Sequence, residues 1–97
     1  MSTLVTERDV FLESVCFSED SLTVRLDDGR SLSVPLAWYP RLLYGTEAER
    51  RNYELIGEGE GIHWPDLDED ISVEGLLAGR RSAESAASLA QWKQRRQ

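Results

Sequence analysis

The sequence predicts a small single α+β domain: an antiparallel β-meander sheet with several short helices, ending in a C-terminal tail that is helical or flexible. Three observations predict it. The chain has 97 residues and a mass of 11.0 kDa, enough for one hydrophobic core and no second one. Two runs in its first third alternate apolar and polar residues with period two on either side of a turn signal. Further along, helix caps and glycine stops follow one another closely, so the helices are short.

In the first run Leu22, Val24 and Leu26 alternate with Thr23 and Arg25; in the second, Leu32, Val34 and Leu36 alternate with Ser31, Ser33 and Pro35. Between them lies Asp27-Asp28-Gly29. A two-residue turn would set Val24 opposite Ser33 and mix the faces. A three-residue loop, 27–29, pairs Val24 with Leu32 and Leu22 with Val34, which keeps apolar against apolar. That geometry is a type I turn followed by a left-handed Gly29 in a G1 bulge. The preceding strand, from about Val10 to Phe17, lacks clean alternation. A four-residue loop of Ser18 to Ser21 places Val15 and Phe17 on the face of Val24 and Leu22. Cys16 then points the other way and is expected to be a small apolar filler.

Pro40 suits the first turn of a helix, with Trp38, Leu42 and Leu43 as its apolar cluster. After Gly45, Thr46-Glu47-Ala48-Glu49 fits a capping box, so a second short helix is expected from Glu47 to about Asn52. Both helices are expected to cover one face of the meander. From Tyr53 to Trp64, glycine recurs at 57, 59 and 61. In a strand these three share one bare face that another backbone can approach; an extended loop is the alternative. Glu58 and Glu60 among them argue against a phosphate cradle. Pro65 stops that segment, and the acidic residues before Ser72 favour the start of a helix that Ser72 caps and Gly79 ends, with Leu76 and Leu77 docking it. In the tail, Ser82 is expected to cap a helix carrying Ala86, Leu89, Ala90 and Trp92. Such a thin stripe either lies back on the domain or meets another chain.

The formal net charge is −7, from 11 Lys and Arg against 18 Asp and Glu. It is unevenly placed. Residues 1–79 hold 6 basic and 17 acidic side chains, residues 80–97 hold 5 and 1. The chain therefore divides into an acidic α+β body, 1–79, and a basic tail, 80–97, predicted to be helical. An acidic body does not favour strong nucleic-acid binding. The tail cations Arg80, Arg81, Lys93, Arg95 and Arg96 with Trp92 would give only weak, salt-sensitive contact. There is one cysteine, hence no internal disulfide, and neither a signal peptide nor a membrane span is read from the sequence. A cytoplasmic protein without membrane attachment is expected.

Chemistry-bearing constellations are sparse. His63 is the one histidine, which leaves no two-histidine metal site and no Ser-His-Asp set with a spare base. Asp66, Asp68 and Asp70 are spaced like the first ligands of a calcium loop, but Ile71 stands where that loop needs glycine and Leu77 where it needs glutamate. No catalytic residue, cofactor or metal ligand is assigned. The candidate interaction surface is Trp64, Pro65, Asp66, Asp68 and Asp70, joined by Trp92, Arg95 and Arg96 of the tail; the same Trp64–Asp70 run also reads as a turn that leads into the helix capped by Ser72.

The run Tyr53-Glu-Leu-Ile-Gly-Glu-Gly-Glu-Gly-Ile-His-Trp-Pro-Asp-Leu-Asp-Glu-Asp-Ile-Ser-Val-Glu-Gly-Leu-Leu-Ala-Gly79 resembles the hallmark of a bacterial family known as domain of unknown function 2442. Trp38-Tyr-Pro-Arg-Leu-Leu43, Thr46-Glu-Ala-Glu-Arg50 and a meander with an Asp-Gly turn resemble its earlier part, so the likeness spans about residues 10–79. The resemblance implies a small α+β domain with a curved antiparallel sheet. Some relatives carry a second, helix-turn-helix domain; here 18 residues follow Gly79, so direct DNA contact is not expected. Relatives often lie beside a small second protein in arrangements that look like toxin–antitoxin pairs. The expected function is accordingly a non-catalytic protein-interaction domain, the antitoxin-like partner of a basic toxin-like protein. The alternatives are a small-ligand or metal-binding domain centred on His63, Trp64, Pro65 and Asp66, and a self-associating structural protein that forms a homodimer.

Overall fold

The two alternating runs pair as their side-chain pattern requires. In the computed structural model, which describes residues 10–96, strands β1 (Leu12–Phe17), β2 (Ser21–Leu26) and β3 (Ser31–Pro35) form an antiparallel sheet in the order β1-β2-β3. Val24 faces Leu32 and Leu22 faces Val34. The amide of Leu26 donates to the carbonyl of Arg30 at 2.8 Å, and Gly29 is left-handed at φ +95°, as the three-residue loop demands. Val15 opposes Val24 and Phe17 opposes Leu22, also as expected. Cys16, by contrast, is exposed; it lies on the solvent face opposite Thr23 and fills nothing.

A 3-10 turn at Leu36–Trp38 leads into α1 (Pro40–Tyr44). Leu36, Tyr39 and Leu42 enter the core, while Leu43 is 40% exposed and so does not join the expected apolar cluster. Helix α2 (Glu47–Arg51) has its capping box complete: Thr46 accepts from the Glu49 amide and Glu49 accepts from the Thr46 amide. It buries no residue, so its role is to turn the chain rather than to cover the meander.

The remaining strands build a second sheet that the alternation did not announce. Strands β4 (Glu54–Ile56), β5 (Gly61–Trp64) and β6 (Glu69–Ser72) pair antiparallel in that order. The recurrent glycines do not share one strand face: Gly57 and Gly59 form the β4–β5 turn with φ of +61° and +107°, and Gly61 alone is in a strand. The expected close backbone approach occurs at Gly59, whose carbonyl accepts from the Leu12 amide at 2.8 Å. A Cβ there would stand 2.5 Å from the Leu12 carbonyl oxygen. The two sheets meet at this point. The acidic run read as a helix lead-in divides between the turn, which holds Asp66 and Asp68, and strand β6, which holds Glu69 and Asp70 because Ile71 pairs with Ile62 and turns into the core.

Helix α3 (Val73–Leu77) starts where Ser72 accepts from the Gly75 amide at 2.9 Å, and Gly79 follows it at φ +73°. Helix α4 (Ala86–Arg95) is capped by Ser85 rather than Ser82; Ser82 instead accepts from the Glu84 amide, forming a local turn before the helix. Leu22, Val24, Leu26, Leu36, Leu42, Ile62, Trp64 and Leu67 form the most deeply buried part of one core fed by both sheets, and Trp92 of α4 belongs to it.

Candidate functional site

The hairpin β5–β6 turns over Pro65–Asp68, where Asp68 takes the left-handed conformation at φ +52° that aspartate tolerates better than most residues. Pro65, Asp66, Asp68 and Asp70 are exposed. Trp64 is not: it is fully buried, its indole N–H donates to the Arg50 carbonyl at 3.0 Å, and Phe17 and Tyr53 pack their rings at 6.3 and 6.4 Å. Its place in the expected surface is corrected to a core anchor beneath that surface. Alternation explains why: in β5, Ile62 and Trp64 point inward and His63 outward.

The turn is fastened from below. Asn52 donates to the Asp66 carboxylate at 2.9 Å. Arg41 donates to the carbonyls of Leu67 and Asp68 at 3.3 and 3.2 Å. The same guanidinium holds Glu84 in a two-pronged pair, Nε to Oε1 at 2.8 Å and Nη2 to Oε2 at 2.7 Å. Both side chains are nearly enclosed, at 13% and 9% exposure, and the pairing draws the Glu84 carboxyl below its ordinary pKa. Arg41 also lies 5.3 Å from the centre of the Trp92 ring. One side chain thus ties the turn to the tail.

The tail residues lie beside the turn they were grouped with. Trp92, grouped with the candidate interaction surface although its stripe also allowed it to lie back on the domain, is buried at 5% exposure within its own chain. Arg96 sits 4.5 Å from that ring and grips Glu49 at 2.9 and 2.6 Å. Its grip, with the Thr46 amide bond, lowers the Glu49 pKa to about 2. Arg95 is exposed.

The outer face of the second sheet is the feature that the sequence did not single out. Glu54, His63 and Asp70 stand in one row across β4, β5 and β6, because each is the register partner of the next. His63 Nδ1 lies 2.5 Å from Asp70 Oδ1. The bond to Asp70, helped by the charges of Glu54 and Asp68, raises the imidazole pKa above its usual value. In the adjacent row Ile62 and Ile71 are buried, while Leu55, at the edge of the sheet, is exposed. A signal for this face existed: residues 54–79 contain eight Asp and Glu and no Lys or Arg.

Two concavities lie elsewhere on the described surface. A groove of about 520 Å³ between the end of β1 and α2 is lined by Val15, Cys16, Phe17, Arg50 and Tyr53 among others. Arg50 is fixed in its wall by Nη1, which donates to the carbonyls of Leu42 and Gly45 at 2.9 and 2.7 Å. A smaller hollow of about 230 Å³ lies beside Tyr39, Glu69 and Arg80; burial raises the pKa of Glu69, and the Tyr39 hydroxyl is spent on the Arg80 carbonyl at 2.8 Å. Among the described residues no three His, Cys, Asp or Glu side chains converge in a way that would hold a metal ion, and no helix is long and apolar enough to cross a membrane.

Comparison with known proteins places the fold in company. The chain superimposes on a crystal structure of a protein of unknown function from Rhodospirillum rubrum with a TM-score of 0.67 and 25% identity, over 77% of this chain and 93% of that one. It also matches the solution structure of an uncharacterized protein from Chromobacterium violaceum with a TM-score of 0.64 and 30% identity, over 84% of this chain and 74% of that one. No curated protein matches. The family model described as "Protein of unknown function (DUF2442)" aligns with residues 12–82, a span that runs from β1 through α3. With that alignment over most of its length, the chain belongs to the DUF2442 family.

Proposed function

We propose that the protein is a non-catalytic interaction domain that binds a basic protein partner through the acidic outer face of β4–β5–β6, in the manner of the antitoxin-like member of a two-protein module. The observation that carries this reading is the run of eight carboxylates without a single Lys or Arg over residues 54–79, folded so that Glu54 and Asp70 flank His63 on one open face. Such a face raises the local concentration of a cationic partner, speeds its encounter and rejects polyanions. The turn at 65–68 adds Asp66 and Asp68 at its edge, and the Arg41 and Asn52 bonds hold that turn in a fixed shape, which reduces the ordering cost on binding. The basic tail has a different part in this reading. With Trp92 in the core and Arg96 on Glu49, it completes the domain rather than reaching for a partner.

The test is affinity capture from the native host with the full chain and with a Glu54→Lys/Asp70→Lys variant, each verified as folded by circular dichroism. The reading requires a single stoichiometric basic protein that the charge-reversed variant loses. Equal capture by both chains, or capture of no protein by either, overturns it.

A further inference from the structure

Strand β4 is the odd member of its sheet. Its three residues, Glu54, Leu55 and Ile56, are all exposed, whereas three of the four residues of β5 are buried. Its register partners are all in β5, and among the described residues its other edge meets no strand. Leu55 and Ile56 are 37% and 45% exposed, two of the four large apolar side chains that stand open on the described surface. An open strand edge is a row of unpaired donors and acceptors ready for another chain. Here it is ringed by Glu54, Glu58 and Glu60, all exposed.

Taking the acidic-face reading above as its basis, we propose that β4 is the docking edge, and that the partner contributes an extended segment alternating apolar residues with Lys or Arg. The charge decides between occupants. A second copy pairing edge to edge would bring the three glutamates of one chain against those of the other, and like charges directly across a strand pair are destabilising. Side chains alternate along β4, with Glu54 and Ile56 on one face and Leu55 on the other, so a segment alternating basic and apolar residues sets its cations beside Glu54 and its apolar side chains over Leu55. The short, charged edge therefore repels its own kind and accepts a strand of opposite character.

The probe is an acetylated and amidated octapeptide of alternating Lys and Val, titrated into the full-length ¹⁵N-labelled protein. Its comparator is the same peptide N-methylated at every residue, which keeps the charge and removes the strand's N–H donors. The proposal expects amide shifts centred on Glu54–Ile56 and binding at least tenfold weaker for the methylated peptide. Equal binding of the two peptides overturns strand addition and leaves the acidic-face reading standing. Absence of binding by either overturns both. A dimer of the free protein whose interface is β4, seen by light scattering and by the same amides, makes the occupant a second copy and overturns the proposal.

Discussion

Replacing Arg41 by Met keeps the aliphatic stem and deletes the guanidinium, and its effect can be worked from the contacts. The variant loses two charge-assisted bonds to Glu84 and two to the Leu67 and Asp68 carbonyls. Glu84, at 9% exposure, keeps only the Ser88 hydroxyl at 2.7 Å as a side-chain donor. Stranding one partner of an enclosed ion pair costs about 3–5 kcal/mol. Part of that is recovered here by water reaching the 13%-exposed side of the pair, so the expected loss is about 3 kcal/mol. A domain of this size holds roughly 5–15 kcal/mol in total, and at about 4–8 °C per kcal/mol the melting temperature should fall by about 12–24 °C. Urea unfolding followed by tryptophan fluorescence measures this directly. Adding Glu84→Leu should restore part of the loss, because no unpaired carboxylate is left. The sign with pH is fixed as well. Glu84 has a depressed pKa in the folded chain, so the pair stabilises above the unfolded carboxylate pKa and fades as pH falls through the folded one. A cost under about 1 kcal/mol, the range of an exposed surface pair, would refute the reasoning, as would a double variant no better than Arg41→Met alone.

Four further perturbations test other parts of the fold. Gly59→Ala forces a Cβ to within 2.5 Å of the Leu12 carbonyl oxygen at a φ of +107°; it should cost more than about 2 kcal/mol in urea unfolding, and wild-type stability would show that the two sheets do not meet there. Trp92→Ala should cost about 3–5 kcal/mol, and a chain cut after residue 79 should show reduced near-ultraviolet dichroism, since Trp92 lies in the core. His63 has its pKa raised mainly by Asp70, so this contribution to stability is present below the unfolded imidazole pKa and is lost as pH rises through the folded value. An NMR titration of the imidazole should show the pKa drop in Asp70→Asn, and an unchanged value would remove the cross-strand pair from the account.

The first sheet was legible because each of its signals acts locally. Apolar alternation sets the faces of β2 and β3, and a loop length consistent with that alternation fixes the register at Val24–Leu32. Caps are equally local, which is why Thr46–Glu49 and Ser72 were readable to the residue. Strand β6 was hidden because one inward residue, Ile71, sits among carboxylates that are equally at home ahead of a helix. The burial of Trp64 and Trp92 was hidden for a different reason. An aromatic residue beside acidic or basic neighbours reads alike as anchor or core until tertiary contacts choose, and here Arg50 and Arg41 supply those contacts from segments 14 and 51 positions away. The candidate turn was visible as a charged run, but the Glu54-His63-Asp70 row depends on strand register across three segments, which no single window of sequence contains.

The bonds between tail and body have a consequence for the order of folding. Arg41 and Glu84 are 43 positions apart, and Glu49 and Arg96 are 47 apart, whereas the hairpins of both sheets close over loops of a few residues. Loop closure over such distances must be met before the contact returns any free energy. The hairpins should therefore assemble first, and α4 should dock after the rate-limiting barrier. Contacts made that late leave the refolding rate almost untouched and slow the escape from the native state. The tail then works as a latch: it sets how long the finished domain survives between openings, while the strands determine how quickly it forms.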